Sequence, residues 1–232
     1  MSKKIYIIIG AIVLAGLIGG GVYLLIQNQQ SKYINFKDPK FTNDELVTIE
    51  GKIKDLENAV KNKEESGDLE NEDKKSDLFK LKMELASFYR LRGRLLDAKK
   101  TIISASELKP DDMMVWTELF VVDQLREDYV SAENDLKKSI AVNPTNPQVW
   151  RWYFDLASGP LKYTQDQLRS LFKDALDKTN SHVDIITVYA GFLETSNDLA
   201  GAVAQWKLAI EKNPAGQAQY MAEITRIQNR LK

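Results

Sequence analysis

Apolar residues follow two different patterns along this chain, and the first pattern is an unbroken run. From Ile5 to Ile26 there is no charged residue, and a helix over this stretch would be about 33 Å long. That length spans the ~30 Å hydrocarbon core of a bilayer. A cleaved signal peptide, the alternative, has an apolar core of only ~7–15 residues before a small-residue cleavage site, whereas Gln27 follows here. The run therefore predicts an uncleaved transmembrane anchor within residues 1–26.

Flanking charges indicate the orientation of this anchor. Lys3 and Lys4 lie next to the run, while Lys32, Lys37 and Lys40 lie further away on its other side. Because the positive charges nearest a span favour the cytoplasm, the N-terminus is predicted to be cytoplasmic, with the three more distant lysines as the opposing signal. The prediction is a single-pass membrane protein whose remaining chain lies on the outer (periplasmic or extracytoplasmic) face.

Small residues recur along one side of the predicted anchor. Ala11, Ala15 and Gly19 are spaced four residues apart, and Gly16 and Gly20 form a neighbouring GxxxG pair. Such a stripe lets two membrane helices approach closely, although glycine is also simply common in membrane helices. The stripe predicts helix–helix association in the membrane, and it leaves open whether the partner is the same chain or another subunit.

Beyond the anchor the apolar residues become periodic. Residues 27–41 are polar with a few aromatic side chains and are expected to be a tether, and Thr42 and Glu45 match a capping box. Apolar residues then alternate at spacings of three and four, as on one face of an amphipathic helix: Leu46, Ile49, Ile53, Leu56 and Val60. Residues 61–76 are charged and are expected to be a solvated loop. Residues 42–78 are thus predicted to be a capping helix followed by a charged loop.

Prolines recur at a fixed interval in the rest of the chain. Pro110 and Pro144 are 34 residues apart, and Pro214 follows 70 residues later, which is twice 34 plus 2. A period of 34 residues that closes on proline is typical of the tetratricopeptide repeat (TPR). Three repeats match the TPR pattern at the positions Ala86, Tyr89, Gly93, Ala98, Ile102 and Ala105; Trp116, Leu119, Phe120, Ala132 and Leu136; and Tyr189, Ala190, Ala202, Trp206 and Ala209.

The third repeat departs from this pattern. It begins near Pro147 with Trp150, Tyr153 and Phe154, but its turn at 157–164 carries two extra residues. Asn180 stands where the closing proline is expected. The extra residues account for the 70-residue interval, so the spacing still indicates four repeats.

On these residues the chain resembles the TPR family over residues 79–214. The resemblance implies an all-α fold, a TPR-type helical-hairpin solenoid of about four repeats plus capping helices, behind an N-terminal transmembrane helix. Residues 215–232 place apolar side chains on one face and are predicted to be the C-terminal capping helix, with the apolar set Ala218, Met221, Ile224, Ile227 and Leu231.

Composition narrows the possible chemistry. The chain has 32 basic and 33 acidic residues, a net charge of −1, which argues against a nucleic-acid partner. It has no cysteine and one histidine, His182, so thiol chemistry and multi-histidine metal sites are excluded. No nucleophile, phosphate-binding or metal motif is present. We therefore expect no enzyme activity and no cofactor, and we expect His182 to lie at the surface or at a helix start.

The TPR resemblance also implies a partner-binding groove lined by the first helix of each repeat. Met83 and Ser87 stand where the carboxylate-binding members of the family expect lysine and asparagine, so capture of a C-terminal carboxylate is not expected. By position, the groove residues are Lys80, Met83, Ser87, Arg90, Met114, Thr117, Val121, Gln124, Gln148, Arg151, Trp152, Asp155, Asp184, Thr187 and Glu194.

Trp152 stands out among these groove positions. Residues two apart on a helix point about 200° away from each other, so Trp150 and Trp152 cannot face the same core. Trp150 and Tyr153 match buried positions, which directs Trp152 toward the groove as a binding anchor. The alternative is that the irregular turn at 158–164 folds over it.

These features predict a membrane-anchored scaffold that mediates protein–protein interaction. In that reading the protein is an assembly or accessory subunit of a membrane or cell-envelope complex, with membrane-associated protein partners. The alternatives are a translocation-associated chaperone that holds newly exported proteins, or a cytochrome or pilus assembly factor. The sequence does not identify the partner.

Overall fold

A computed structural model describes residues 41–66 and 71–230, and all regular structure in these ranges is helical. The all-α fold expected from the sequence is confirmed for these residues. The helices are α1 (Asn43–Glu65), α2 (Glu72–Leu91), α3 (Leu95–Ser106), α4 (Met113–Leu125), α5 (Tyr129–Val142), α6 (Pro147–Ser158), α7 (Gln165–Lys178), α8 (Val183–Thr195), α9 (Leu199–Lys212) and α10 (Gln217–Arg230), with a 3-10 turn at Pro214–Gly216.

Two compact units, divided between Ala132 and Glu133, make up the described chain. The N-terminal unit contains α1 to α4 and the first residues of α5, and the C-terminal unit contains the rest of α5 and α6 to α10. Within the units α2 packs against α3, α6 against α7, and α8 against α9. Because short turns join the members of each pair, the pairs are antiparallel helical hairpins.

The predicted capping box starts α1. The Thr42 backbone N–H donates to Glu45 Oε2 at 2.8 Å, and the Glu45 N–H donates to Thr42 Oγ1 at 3.3 Å. Ile49, Ile53 and Leu56 are buried in one core with residues of α2, α3 and α4. The three–four alternation of apolar residues therefore covers one side of the first hairpin, as a capping helix should.

The charged segment at 61–76 is mostly helical, contrary to the expected loop. Helix α1 continues to Glu65 and α2 already begins at Glu72. The Asn71 side chain accepts hydrogen bonds from the two backbone N–H groups of Asp73 and Lys74, which supplies the N-cap of α2. The polar end of α1 and the polar start of α2 are stable as helix because tertiary contacts hold them. The polarity of this segment was therefore not sufficient evidence for a loop.

Two buried charges brace the N-terminal unit, and neither was evident from the sequence. Lys82 on α2 forms a 2.6 Å salt bridge with Glu64 near the end of α1. Asp123 on α4 pairs with Lys99 of α3 at 2.6 Å and with Arg126 at 2.9 Å. Buried charges are tolerated only when they are paired in this way.

The proline period has a direct structural cause. Trp116 Nε1–H donates to the Pro110 carbonyl oxygen at 2.9 Å, and Trp150 Nε1–H donates to the Pro144 carbonyl oxygen at 2.8 Å. In each case the tryptophan lies six residues after the proline, on the helix that follows it. The two bonds join the end of one repeat to the start of the next at equivalent positions.

The extra residues of the third repeat form a tied-back turn. The Tyr163 backbone N–H donates to the Ala157 carbonyl at 2.8 Å, and the Thr164 side chain caps α7. Tyr163 and Tyr153 both donate their hydroxyls to Glu133 Oε1, the Tyr153 bond being 2.8 Å. Burial raises the pKa of Glu133, but hydrogen bonds from Lys137, Tyr163 and Tyr153 lower it by more. The pKa of this carboxyl therefore lies below its ordinary value.

The capping helix α10 is rotated relative to its predicted orientation. Ile224 and Ile227 are buried, as predicted, together with Tyr220, whereas Ala218 and Met221 are exposed. The Tyr220 ring stacks on Trp206 of α9 with centroids 5.9 Å apart. This aromatic contact buries Tyr220 and leaves Ala218 and Met221 on the exposed side of the helix.

Residues 1–40 lie outside the described part of the chain. The predicted anchor and its stripe of Ala11, Ala15, Gly16, Gly19 and Gly20 therefore remain predictions. Among the helices of 41–66 and 71–230, none is both long enough and apolar enough to cross a bilayer.

Replacing Trp150 with phenylalanine is expected to destabilise the protein. The side chain is only 2% exposed and its indole satisfies the Pro144 carbonyl, so Trp150→Phe removes packing volume and a hydrogen bond. The expected loss is about 1–3 kcal/mol in the free energy of unfolding, measured by urea denaturation followed by circular dichroism. Trp116→Phe is the matched control with a smaller expected loss, since Trp116 is half-buried. An unchanged midpoint for Trp150→Phe would contradict a structural role for the bond.

Candidate partner-binding surface

Helix α6 presents a single accessible stripe in the C-terminal unit. Asn146 caps the helix by accepting from the Gln148 N–H, and Pro147 fills its first turn. Trp150 and Tyr153 are buried, as predicted, and Phe154 is buried beside them. The opposite side carries the accessible residues at the helical spacings of three and four: Gln148, Arg151, Trp152 and Asp155.

Helix α8 presents the corresponding stripe next to α6. His182 is its N-cap, and its Nδ1 accepts a 3.3 Å hydrogen bond from the Asp184 N–H, so the predicted helix-start role of this histidine is confirmed. Tyr189 and Ala190 face the core. The accessible residues again have helical spacings: Asp184, Thr187, Val188 and Gly191.

Trp152 is half-buried and so remains partly accessible. The turn at 159–164 returns to α6 on a different side, since its Tyr163 reaches Glu133 and Tyr153. Trp152 and Tyr153 diverge by about 100° on the helix. Tyr163 therefore contacts the Tyr153 side of α6.

Charge on this surface is mainly acidic. Helix α8 contains Asp184 and Glu194 and no lysine or arginine, while α6 contains Arg151 and Asp155. Asp155 is accessible to solvent, but the surrounding protein raises the pKa of its carboxyl, an effect that Arg151 opposes. A carboxylate that is both accessible and partly desolvated is suited to pairing with a cation from a partner. The Gln148 side-chain nitrogen is buried in this same stripe and has no hydrogen-bond partner among the described residues.

The equivalent surface of the N-terminal unit is less open. Lys80 is exposed on α2, and Ser87 is half-buried. Arg90 pairs with Glu118 of α4 at 3.6 Å. On α4, the predicted groove positions are all half-buried: Met114, Thr117, Val121 and Gln124.

Met83 was predicted to line the groove, but it is buried. It is only 7% exposed and belongs to the core of the N-terminal unit. Helix α2 packs against both α1 and α3, so more of its circumference is covered than that of a helix flanked on one side. Met83 is therefore not available to a partner in this structure.

Glu194 is held by the capping helix. It accepts hydrogen bonds from both terminal nitrogens of Arg226 at 2.6 Å, and Arg230 also donates to it. The side chain is 14% exposed. Arg226 and Arg230 were not predicted as functional residues, because they lie 32 or more positions away and no local pattern marks the pairing. Glu194 thus fastens α10 to α8.

Comparisons with known proteins find a likeness to several solved structures. No protein-family model matches the chain, and no curated protein matches it. A MamA structure from Desulfovibrio magneticus is 13% identical, covering 71% of this chain and 96% of that chain with a TM-score of 0.44. A tetratricopeptide repeat protein from Parabacteroides merdae is 14% identical, and the match covers 77% of this chain and 74% of that chain with a TM-score of 0.46.

A TPR protein from Thermus thermophilus also matches, at 16% identity, covering 75% of this chain and 98% of that chain with a TM-score of 0.43. Two of the three structures are thus described as TPR proteins. With TM-scores of 0.43 to 0.46, the likeness transfers neither a partner nor an activity to this chain.

Glu194→Gln is expected to loosen α10. Its hydrogen bond and ion pair with Arg226 hold the pKa of Glu194 below its ordinary value of 4.5. The stabilisation is therefore complete above the unfolded-state pKa and is lost as the pH falls through the lower folded-state pKa. At neutral pH the variant should show several-fold faster hydrogen exchange in α10, measured by mass spectrometry.

The wild type should approach the variant's exchange rate as the pH falls below about 4.5, after correction for intrinsic exchange. Glu211→Gln, an exposed acid on α9, is the matched control and should leave α10 unchanged. Equal exchange in wild type and Glu194→Gln at neutral pH would show that the clamp does not hold α10.

Proposed function

We propose that this protein is a TPR-type scaffold that binds partner proteins through the first helices of its repeats. The observation that supports this most directly is the arrangement on α6 and α8. Each helix buries one side in its hairpin and leaves the other side accessible at regular helical spacings. Contiguous accessible stripes on adjacent helices offer a surface for a peptide or a partner helix. The proposal includes no catalytic role.

The 34-residue period supports the assignment to the TPR class. Its closing prolines are bonded to the next hairpin by Trp116 and Trp150, so the interval reflects a repeated structural unit. The alanines at positions of the TPR pattern are also buried: Ala86, Ala98, Ala132, Ala190 and Ala202.

We further propose that the scaffold is anchored in a membrane by residues 5–26. The uncharged run supports this step, and residues 27–41 supply a tether that reaches at most ~50 Å when fully extended. Tethering at this distance raises the effective concentration of the binding surface for membrane-bound partners. The protein would then serve as an assembly or accessory subunit of a membrane or cell-envelope complex.

Crosslinking in intact cells, followed by affinity purification and mass spectrometry, tests the scaffold function. One or a few stoichiometric membrane partners are expected, and Trp152→Ala should reduce their recovery several-fold, since aromatic anchors contribute strongly to interfaces. Leu96→Ala, at a 60% exposed position on α3 outside both stripes, is the matched control. Many unrelated exported clients at low stoichiometry would instead identify a translocation chaperone.

Single-cysteine labelling tests the topology. Because the chain has no cysteine, a single introduced thiol is the only site for a maleimide. Gln228→Cys, at an exposed position on α10, should react with a membrane-impermeant maleimide in intact spheroplasts. Ser2→Cys should react only after permeabilisation. The reverse pattern would place α1 to α10 in the cytoplasm, and labelling of both sites without a membrane-bound fraction would contradict the anchor.

A further inference from the structure

Equivalent residues of α6 and α8 are 36 positions apart. The buried pairs Trp150 and Ile186, and Tyr153 and Tyr189, follow this offset. Helices α6 and α8 are each antiparallel to α7, so they run in the same direction, and they contact one another. Residues related by the offset therefore lie side by side, at the ~8–10 Å separation of packed helices. Asp155 is thus the neighbour of Gly191.

Gly191 is not required by the fold. Within residues 41–66 and 71–230, a Cβ added at this position would meet nothing within 4 Å, and the residue has ordinary helical backbone geometry. Glycine inside a helix costs about 1 kcal/mol relative to alanine. The residue therefore weakens α8 without a compensating contact in this structure, and it leaves the backbone of α8 open to close approach from outside.

The surroundings of Gly191 define the chemistry of what can approach. The 36-residue offset pairs Asp155 of α6 with it, and Asp184 lies two turns earlier on α8. Arg151 is the one basic residue of the two helices. Glu194 is already neutralised by Arg226. The stripe then carries two carboxylates, Asp155 and Asp184, against one guanidinium, Arg151, so its net charge is negative and complements a cationic segment.

Apolar contact is available one turn before this point. Trp152 on α6 and Val188 on α8 are related by the same offset, and both are half-buried. A tryptophan beside a carboxylate can hold the aliphatic part and the charged end of a lysine or arginine side chain. The surface therefore combines a carboxylate, an aromatic ring and an open backbone within one turn.

We propose that the α6–α8 face binds a basic segment of a partner protein, in which a lysine or arginine pairs with Asp155 while the segment's backbone passes over Gly191. This inference rests on the proposed scaffold function, because it names the partner class for the same surface. It differs from capture of a C-terminal carboxylate, which would need basic residues in the groove.

A phage library of random 12-residue peptides, selected on the full-length protein in nanodiscs, tests the inference. Enriched peptides are expected to carry lysine or arginine at one fixed position next to an apolar residue. A synthetic peptide of that consensus should bind Asp155→Asn several-fold more weakly than wild type and Asp155→Lys at least about tenfold more weakly. Asp166→Asn, at an exposed acid on α7, is the matched control and should bind as wild type does.

Gly191→Ala supplies a readout that a purely structural role would not change. Gly51 on α1 is also a helical glycine with nothing within 4 Å of an added Cβ, so Gly51→Ala is its matched control. Both variants should be as stable as wild type or more stable, by up to about 1 kcal/mol. Only Gly191→Ala should weaken binding of the consensus peptide.

The outcomes separate this inference from the scaffold function. Enriched peptides without a basic preference, or binding that survives Asp155→Lys and Gly191→Ala, would overturn the basic-segment inference and leave the scaffold intact. If no peptide is enriched although crosslinking returns stoichiometric partners, the inference fails and the scaffold stands. If crosslinking also returns no partner, both fail.

Discussion

The hydrogen bond between a tryptophan indole and the carbonyl of the preceding closing proline is the contact on which the repeat register depends. A single helical hairpin cannot cover its own apolar side, so each hairpin must be completed by its neighbour in a defined register. Trp116 and Trp150 make this bond at the same place in two repeats. At Pro214 the equivalent residue is Tyr220, whose hydroxyl accepts a 3.0 Å bond from Asn213. At the C-terminal cap, a hydrogen bond between asparagine and tyrosine thus takes the position that the tryptophan–proline bond has in the two other repeats.

Once the register is set, it decides which side chains remain available for binding. The same helical spacing that buries Trp150 and Tyr153 directs Trp152 and Asp155 outward from the hairpin. The two-residue insertion in the third repeat is absorbed by the turn that Tyr163 ties to Glu133, so the positions of α6 and α8 stay in correspondence. This correspondence is what pairs Asp155 with Gly191 in the proposed site. The proposed basic-segment site is therefore a consequence of the repeat packing.

Part of the candidate surface could be predicted from the sequence. Helical spacing correctly separated the accessible residues of α6 from its buried ones, and it placed Asp184 and Thr187 on the accessible side of α8. Gly191 was missed, although an isolated glycine within a helical pattern is a recognisable signal. Met83 was misplaced because α1 covers a side of α2 that the repeat pattern leaves open. Glu194 was predicted as an accessible groove residue, and its pairing with Arg226 was missed. That pairing depends on the rotation of α10, which is set by the Trp206–Tyr220 stack.

The sequence by itself determined the properties that depend on residue spacing: most of the helices, the capping box at Thr42 and Glu45, and the 34-residue period. The helices and the capping box follow from residues a few positions apart, whose relation on a helix is fixed by its geometry, and the period follows from the recurrence of proline along the chain. Only the tertiary structure decided that residues 61–65 and 72–76 are helical, that Lys82 and Asp123 are buried in ion pairs, and that Glu194 fastens α10. Those outcomes depend on which helix faces meet, because a charge is stable in the interior only where a distant partner arrives to neutralise it.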